Sequence, residues 1–170
     1  NASAWHLVNF LTFQLGIYLL YRLAKRWMSN SAALASAALF AWQPLLWGHA
    51  FINPTDPPFL VFFIGAVCFG FEMIDVLDKN PKGFWKPLGF AAFFLGIATS
   101  IRVLGPLAGV IVGIYALGKL KKAESFKRLA IYTTLTILIA FVAWPYLWTN
   151  PLQKFVAAFG FMSDNPTQLQ

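Results

Sequence analysis

The chain has 170 residues, 59% of them hydrophobic and only 11% charged, with a net charge of +7. Soluble domains average about 45–50% apolar and about 25% charged residues, so this composition excludes a water-soluble globular domain and describes an all-α, polytopic membrane helical bundle. The positive charge does not point to nucleic acid, because the basic residues fall in short runs between apolar segments and build no basic face interleaved with stacking aromatics. Cys68 is the sole cysteine. That excludes disulfides and paired-cysteine metal sites, and its apolar neighbours make it a small buried hydrophobe.

The sequence opens at Asn1 with neither Met nor a signal-like basic stretch, and it ends in a polar run, Ser163-Asp164-Asn165-Pro166. It reads as an internal piece of a longer protein. Apolar runs of about 18–20 residues can cross the roughly 30 Å hydrocarbon core. Ala4–Tyr21, Ser31–Ala50, Pro58–Leu77 and Leu129–Trp148 meet that length. Pro44 should kink the second of these, and Ala32, Ala33, Ala35, Ala37 and Ala38 make it smooth enough for close packing.

Residues 87–118 admit two descriptions. One helix of about 31 residues would be roughly 46 Å long, more than a bilayer needs. Gly105-Pro106 and the embedded Arg102 offer a break instead, giving two short helices, Pro87–Ile101 and Pro106–Leu117. Charge sidedness decides. With the hairpin counted as two crossings, Arg22, Lys25, Arg26, Lys79, Lys82, Lys86, Lys119, Lys121, Lys122, Lys127 and Arg128 share one side, leaving Arg102 and Lys154 opposite. The positive-inside rule makes the basic side cytoplasmic. The result is six crossings with the N-terminus outside, in a multi-pass protein of the cell membrane. Trp5, Trp47 and Trp148 at outer ends, with Trp27 and Trp85 at inner ends, agree with the interfacial preference of tryptophan. Beyond a bundle over 1–148, residues 149–170 form an outer-face segment. Within it, Pro151–Met162 places Leu152, Phe155, Val156, Phe159 and Met162 at helical spacing along the outer surface.

On this topology the outer face gathers His49, Asn53, Thr55, Asp56, Arg102, Asn150 and Lys154. Residues 48–59 crowd most of these together. Pro54, Pro57 and Pro58 forbid a continuous helix there and stiffen the connection. Asp56, set between prolines that donate no backbone hydrogen bond, needs water, a metal, a cation or a substrate as partner. An Arg below the membrane surface costs at least about 2.5–3.5 kcal/mol unless paired or hydrated. Arg102 therefore reads either as a salt bridge to Asp56 that closes two helices together, or as a phosphate clamp, because a guanidinium suits phosphate in bidentate geometry. His49 and Asp56 could give two ligands to a divalent ion, although a typical site takes three or more protein donors. Glu72 and Asp75, three residues apart near the inner end, should meet lysines or headgroups, and carry no catalysis.

The run Ala41-Trp-Gln-Pro-Leu-Leu-Trp-Gly-His-Ala-Phe-Ile-Asn-Pro-Thr-Asp-Pro-Pro-Phe59 resembles the start of the fourth membrane helix in the protein O-mannosyltransferase and aminoarabinose-transferase superfamily, GT-C glycosyltransferases of the family-39 type. Leu95-Gly-Ile-Ala-Thr-Ser-Ile-Arg102 looks like that family's Gly-Leu-Ala stretch with a basic residue beyond it, Arg102 standing where Lys is usual. Trp144-Pro-Tyr-Leu-Trp-Thr-Asn-Pro151 is similar to a segment of bacterial members. The resemblance implies a polyprenyl-phosphate-linked sugar donor, inversion at C1, and an active site on the extracytoplasmic side. The acceptor would be a protein, lipid or glycan, with membrane lipids as the surroundings. It places the family's main acidic residue in a first outer loop that these residues do not contain, and gives Asp56 the second acidic position, near donor phosphate, metal or acceptor. Asp56 is then the expected catalytic residue, with Arg102, His49 and Asn53 binding substrate; a divalent ion is left open, with Asp56 and His49 as its weak candidate ligands. A transporter or lipid flippase built on a broken-helix hairpin is the alternative, but it calls for repeats that the sequence lacks. A structural subunit pinned by an Arg102–Asp56 bridge is a third.

Overall fold

The computed structural model describes residues 2–79, 83–120 and 123–164. Lys82, Lys121, Lys122, Asn165 and Pro166, used above for charge sidedness and the polar tail, lie outside the described residues. Among the described residues the fold is wholly helical: α1 (Ala2–Ala24), α2 (Asn30–Ala41), α3 (Pro44–Ile52), α4 (Asp56–Lys79), α5 (Trp85–Ile101), α6 (Pro106–Lys119), α7 (Ala123–Ala143), a 3-10 turn (Pro145–Leu147) and α8 (Pro151–Asp164).

Two boundaries differ from those expected, both through proline. The span over Ser31–Ala50 is not one kinked helix. Its first part ends at Ala41, Gln43 turns extended, and Pro44 opens α3 as an N-terminal residue, where a missing N–H costs nothing. The last span starts earlier than Leu129 and stops at Ala143, because Pro145 cannot extend α7 and begins the 3-10 turn instead. The break in 87–118 is as expected. Arg102 leaves α5 in an extended conformation and Pro106 starts α6. Gly105 makes that reversal possible: a Cβ there would sit 2.4 Å from the backbone of Thr99, so the chain folds back onto the last turn of its own helix.

Helix α4 is the axis. Val61, Ala66, Met73 and Ile74 on it are fully buried, with α1, α5 and α6 packed around it, α7 against α5 and α2 against α1. In lipid, helices gain little from burying apolar surface against one another, so association relies on close approach at small residues. The interfaces follow that rule. Gly16 receives Val61, Gly65 the ring of Phe94, Gly70 receives Val112 and Gly96 receives Ile139, each so close that an added Cβ would collide. The outward surface remains apolar: Leu34, Leu39, Ile114, Leu117, Ile137 and Val142 are all more than 60% exposed. A continuous sheath of this kind is a lipid-facing surface. By length and composition three helices can each cross a membrane, over Ala4–Ala24, Asp56–Lys79 and Ser125–Ala143, while α2, α5 and α6 are shorter apolar helices.

Ion pairs fix which ends lie together. Near the C-terminal end of α4, Glu72 accepts from Arg22 at 2.5 Å. Asp75 meets Arg26, the Tyr115 hydroxyl at 2.7 Å and the Lys119 ammonium at 2.5 Å. At the N-terminal end, Asp56 meets Arg102. So α5 climbs from the Asp75 end to the Asp56 end and α6 returns, as the hairpin requires. Nineteen residues separate the two carboxylates, about 28 Å along a helix, close to the hydrocarbon thickness. The expectation that Glu72 and Asp75 meet lysines or headgroups is corrected: two arginines and a tyrosine join the one lysine. Arg22 and Arg26 sit one helical turn apart, as nearly do Glu72 and Asp75, so the two faces register. The Arg26 pKa stands above its ordinary value: burial opposes the charge, and the hydrogen bonds to Asp75 and Tyr115 outweigh it.

Gly70→Leu should lower stability by about 1–3 kcal/mol, through forced separation of α4 and α6. Gly113→Leu, where an added Cβ meets nothing within 4 Å, should stay within about 0.5 kcal/mol of the parent. Denaturant titration in detergent compares the two, and equal losses would contradict the packing described.

Candidate functional site

The Asp56 end of α4 is built by one asparagine. The Asn53 side-chain carbonyl accepts from the Thr55 N–H at 3.0 Å, the Asp56 N–H at 3.1 Å and the Thr55 hydroxyl at 2.9 Å. This is an Asx turn that starts α4 where Pro54, Pro57 and Pro58 leave few backbone donors. The amide nitrogen of the same side chain donates to Asp56 Oδ2 at 2.7 Å and lies 3.4 Å from His49 Nδ1. Asn53 is therefore committed within its own loop, and His49 reaches Asp56 through it.

The other carboxylate oxygen, Asp56 Oδ1, accepts from Arg102 Nη2. Forty-six positions of sequence thus close into one contact at the rim. The Arg102 backbone N–H caps α5 on the Ala98 carbonyl, and its own carbonyl accepts from the Gly105 N–H at 2.9 Å. The arginine is held at the corner of the hairpin, with its side chain turned toward α4. Its side chain is 33% exposed and that of Asp56 50%, and exposed pairs contribute only about 0–1 kcal/mol. Stability alone is a weak reason for this pair.

The Arg102 guanidinium is under-used. Its Nε is buried and has no partner. Arg26 at the other end also has an unpartnered Nε, but its Nη2 serves both Asp75 and Tyr115 and its plane lies over the rings of Trp27, Phe71 and Tyr115. Arg102 instead faces a cavity of about 640 Å³, lined also by Thr55, Val103, Trp144, Tyr146 and Phe161. One cation with spare donors, set in an otherwise largely apolar and aromatic wall, is the usual make-up of a small-ligand site.

Of the outer-face residues read from the sequence, Thr55, Asp56, Arg102, Asn53 and His49 come together. Asn150 serves as the start of α8, its carbonyl accepting from the Lys154 N–H at 3.0 Å. Lys154 lies over the Tyr146 ring at 4.7 Å. Sequence reasoning did not assign Trp144 or Tyr146 to this cavity; the Trp-Pro-Tyr spacing just before the outer helix was the available signal. Both Asp56 oxygens face hydrogen-bond donors, Asn53 stands between Asp56 and His49, and among the described residues no three His, Cys, Asp or Glu side chains converge.

A family profile described as dolichyl-phosphate-mannose-protein mannosyltransferase matches residues 1–148. No curated protein and no solved structure matches the chain. The match spans α1 to the 3-10 turn and includes every residue of the Asp56–Arg102 rim, in agreement with the resemblance read from the sequence. The chain belongs to the dolichyl-phosphate-mannose-protein mannosyltransferase family, and so to the membrane glycosyltransferases.

Proposed function

We propose that the Asp56–Arg102 rim is the donor-phosphate end of a GT-C-type active site. It would move a sugar from a polyprenyl-phosphate carrier to a hydroxyl of a protein, lipid or glycan acceptor on the extracytoplasmic side of the cell membrane. The observation that carries this reading is Arg102: a guanidinium with one carboxylate partner and a buried, unpartnered Nε, opening on a cavity. In the transfer, the acceptor oxygen bonds to C1 of the sugar as the bond from C1 to the phosphate oxygen breaks. The electron pair of that bond leaves with the phosphate, and the acceptor proton passes to a base.

The chain's own residues act on the leaving side. Charge grows on the phosphate as the bond breaks, and a guanidinium fixed beside it stabilises that charge more than it stabilises the intact donor. Asp56 orients Arg102 through Oδ1, while Asn53 keeps the carboxylate from rotating away. As phosphate takes over the arginine, Oδ1 is freed to accept from the acceptor hydroxyl while Oδ2 stays on Asn53. The base that removes the acceptor proton is, on the family resemblance, a carboxylate these residues do not include. Sidedness is supported by charge. Arg22, Arg26 and Lys119 gather at the Asp75 end, and the positive-inside rule turns that end to the cytoplasm. The same reading treats residues 1–148 as the bundle and 149–170 as an outer-face interfacial segment.

In the full-length protein, Asp56→Asn should cut turnover of a polyprenyl-phosphate sugar by roughly a hundredfold while changing unfolding stability by under about 1 kcal/mol. Unchanged turnover would refute the role. Arg102→Ala should weaken donor binding well beyond acceptor binding, as titration of each ligand separately would show; equal losses would remove the clamp. A double-mutant cycle that finds strong stability coupling between the two residues without loss of activity would favour the purely structural bridge.

A further inference from the structure

We infer that Trp144 and Tyr146 form the platform against which the transferred sugar ring lies, an inference that rests on the donor-site reading above and adds the residues that tell a sugar-bearing carrier from a bare one. Three observations carry it. Both rings line the same cavity as Arg102. They are held near parallel, with centroids 6.3 Å apart and planes 29° apart. Each also has a second partner: Phe155 of α8 meets the Trp144 ring edge-on at 6.3 Å, and the Lys154 ammonium lies over Tyr146.

The local sequence explains the rigidity. The residue between the two aromatics is Pro145, which ends α7, starts the 3-10 turn and removes one free torsion from the link. Just beyond, the Trp148 indole N–H donates to the Phe141 carbonyl at 2.8 Å, tying the turn back onto the frayed end of α7. Trp148 is 57% exposed and behaves as an interfacial tryptophan. Trp144 is more buried and turned to the cavity, so an interfacial role does not account for it. A pyranose presents one face of C–H groups and an edge of hydroxyls. Aromatic walls suit the first, whereas the Thr55 hydroxyl, which lines the same cavity, suits the second. The phosphate remains with Arg102, and C1 comes to lie between platform and clamp.

The test uses the full-length protein in nanodiscs, with polyprenyl-phosphate mannose and the same polyprenyl phosphate without sugar as probes. The parent should bind the sugar-bearing probe more tightly. Trp144→Ala should remove about tenfold of that affinity, of the order an aromatic stacking contact supplies, and leave the bare phosphate within twofold, while Trp144→Phe keeps most of the difference. Tyr146→Ala should act in the same direction, and serves where Trp144→Ala fails to fold. Equal losses for both probes would show a structural role and overturn the platform. So would a parent that binds both probes equally, with the donor-phosphate reading left standing. A parent that binds neither probe would overturn both.

Discussion

Each end of α4 presents a carboxylate that the membrane boundary cannot leave alone, and the bundle is arranged around answering them. Ionised groups at this depth persist when paired or hydrated. Asp75 draws Arg26 from the end of α1 and Tyr115 with Lys119 from the end of α6; Asp56 draws Arg102 from the corner of the hairpin. Because the partners come from different helices, each pairing also sets a helix at a height. The break after Ile101 follows from the same demand. A continuous rod through 102–105 would carry Arg102 onward along its axis, while the extended exit and Gly105 turn it back onto the first turn of α4.

The two ends answer the demand differently. At the Asp75 end three donors converge on one carboxylate, and the rings of Trp27, Phe71 and Tyr115 cover the guanidinium. A cluster with so many partners is costlier to open than a single pair, since its contacts are shared among part-buried groups that lose a partner together. At the Asp56 end one guanidinium meets one carboxylate, half-exposed, beside a cavity. A pair worth little in water-accessible surroundings can be exchanged for a ligand at little cost. That exchange is what a site needs if phosphate must enter and leave.

Much of this was legible in the sequence because proline, glycine and charge are local signals. Gly105-Pro106 marked the hairpin, and the sum of basic residues set its direction. The Asp56–Arg102 partnership followed from the rule that embedded charges pair. What the sequence hid depended on three-dimensional register. Nothing in the spacing of Glu72 and Asp75 reveals whether lysines or arginines will face them; that follows from the rotation of α1 about its axis, which Gly16 against Val61 sets. That the Asn53 carbonyl starts α4 was hidden too, because this use depends on the path the prolines impose. Trp144 and Tyr146 were hidden for another reason. Aromatics near a membrane surface are common, and only the fold distinguishes one that faces a cavity from one that faces lipid.

The short length of α5 and α6 acquires a purpose in this light. Helices of 17 and 14 residues rise about 26 and 21 Å, less than the roughly 36 Å of α4. The 3-10 turn and α8 bring Trp144, Tyr146 and Phe161 to the cavity that Arg102 lines at the hairpin corner. A full-length pair of helices would fill the same volume with lipid-facing leucines and deliver the guanidinium into the headgroup layer, where water and lipid phosphates compete for it. Ending α5 at Ile101 trades continuous helix for a recess at one surface. The recess and the charge that serves it are products of the same break in the chain.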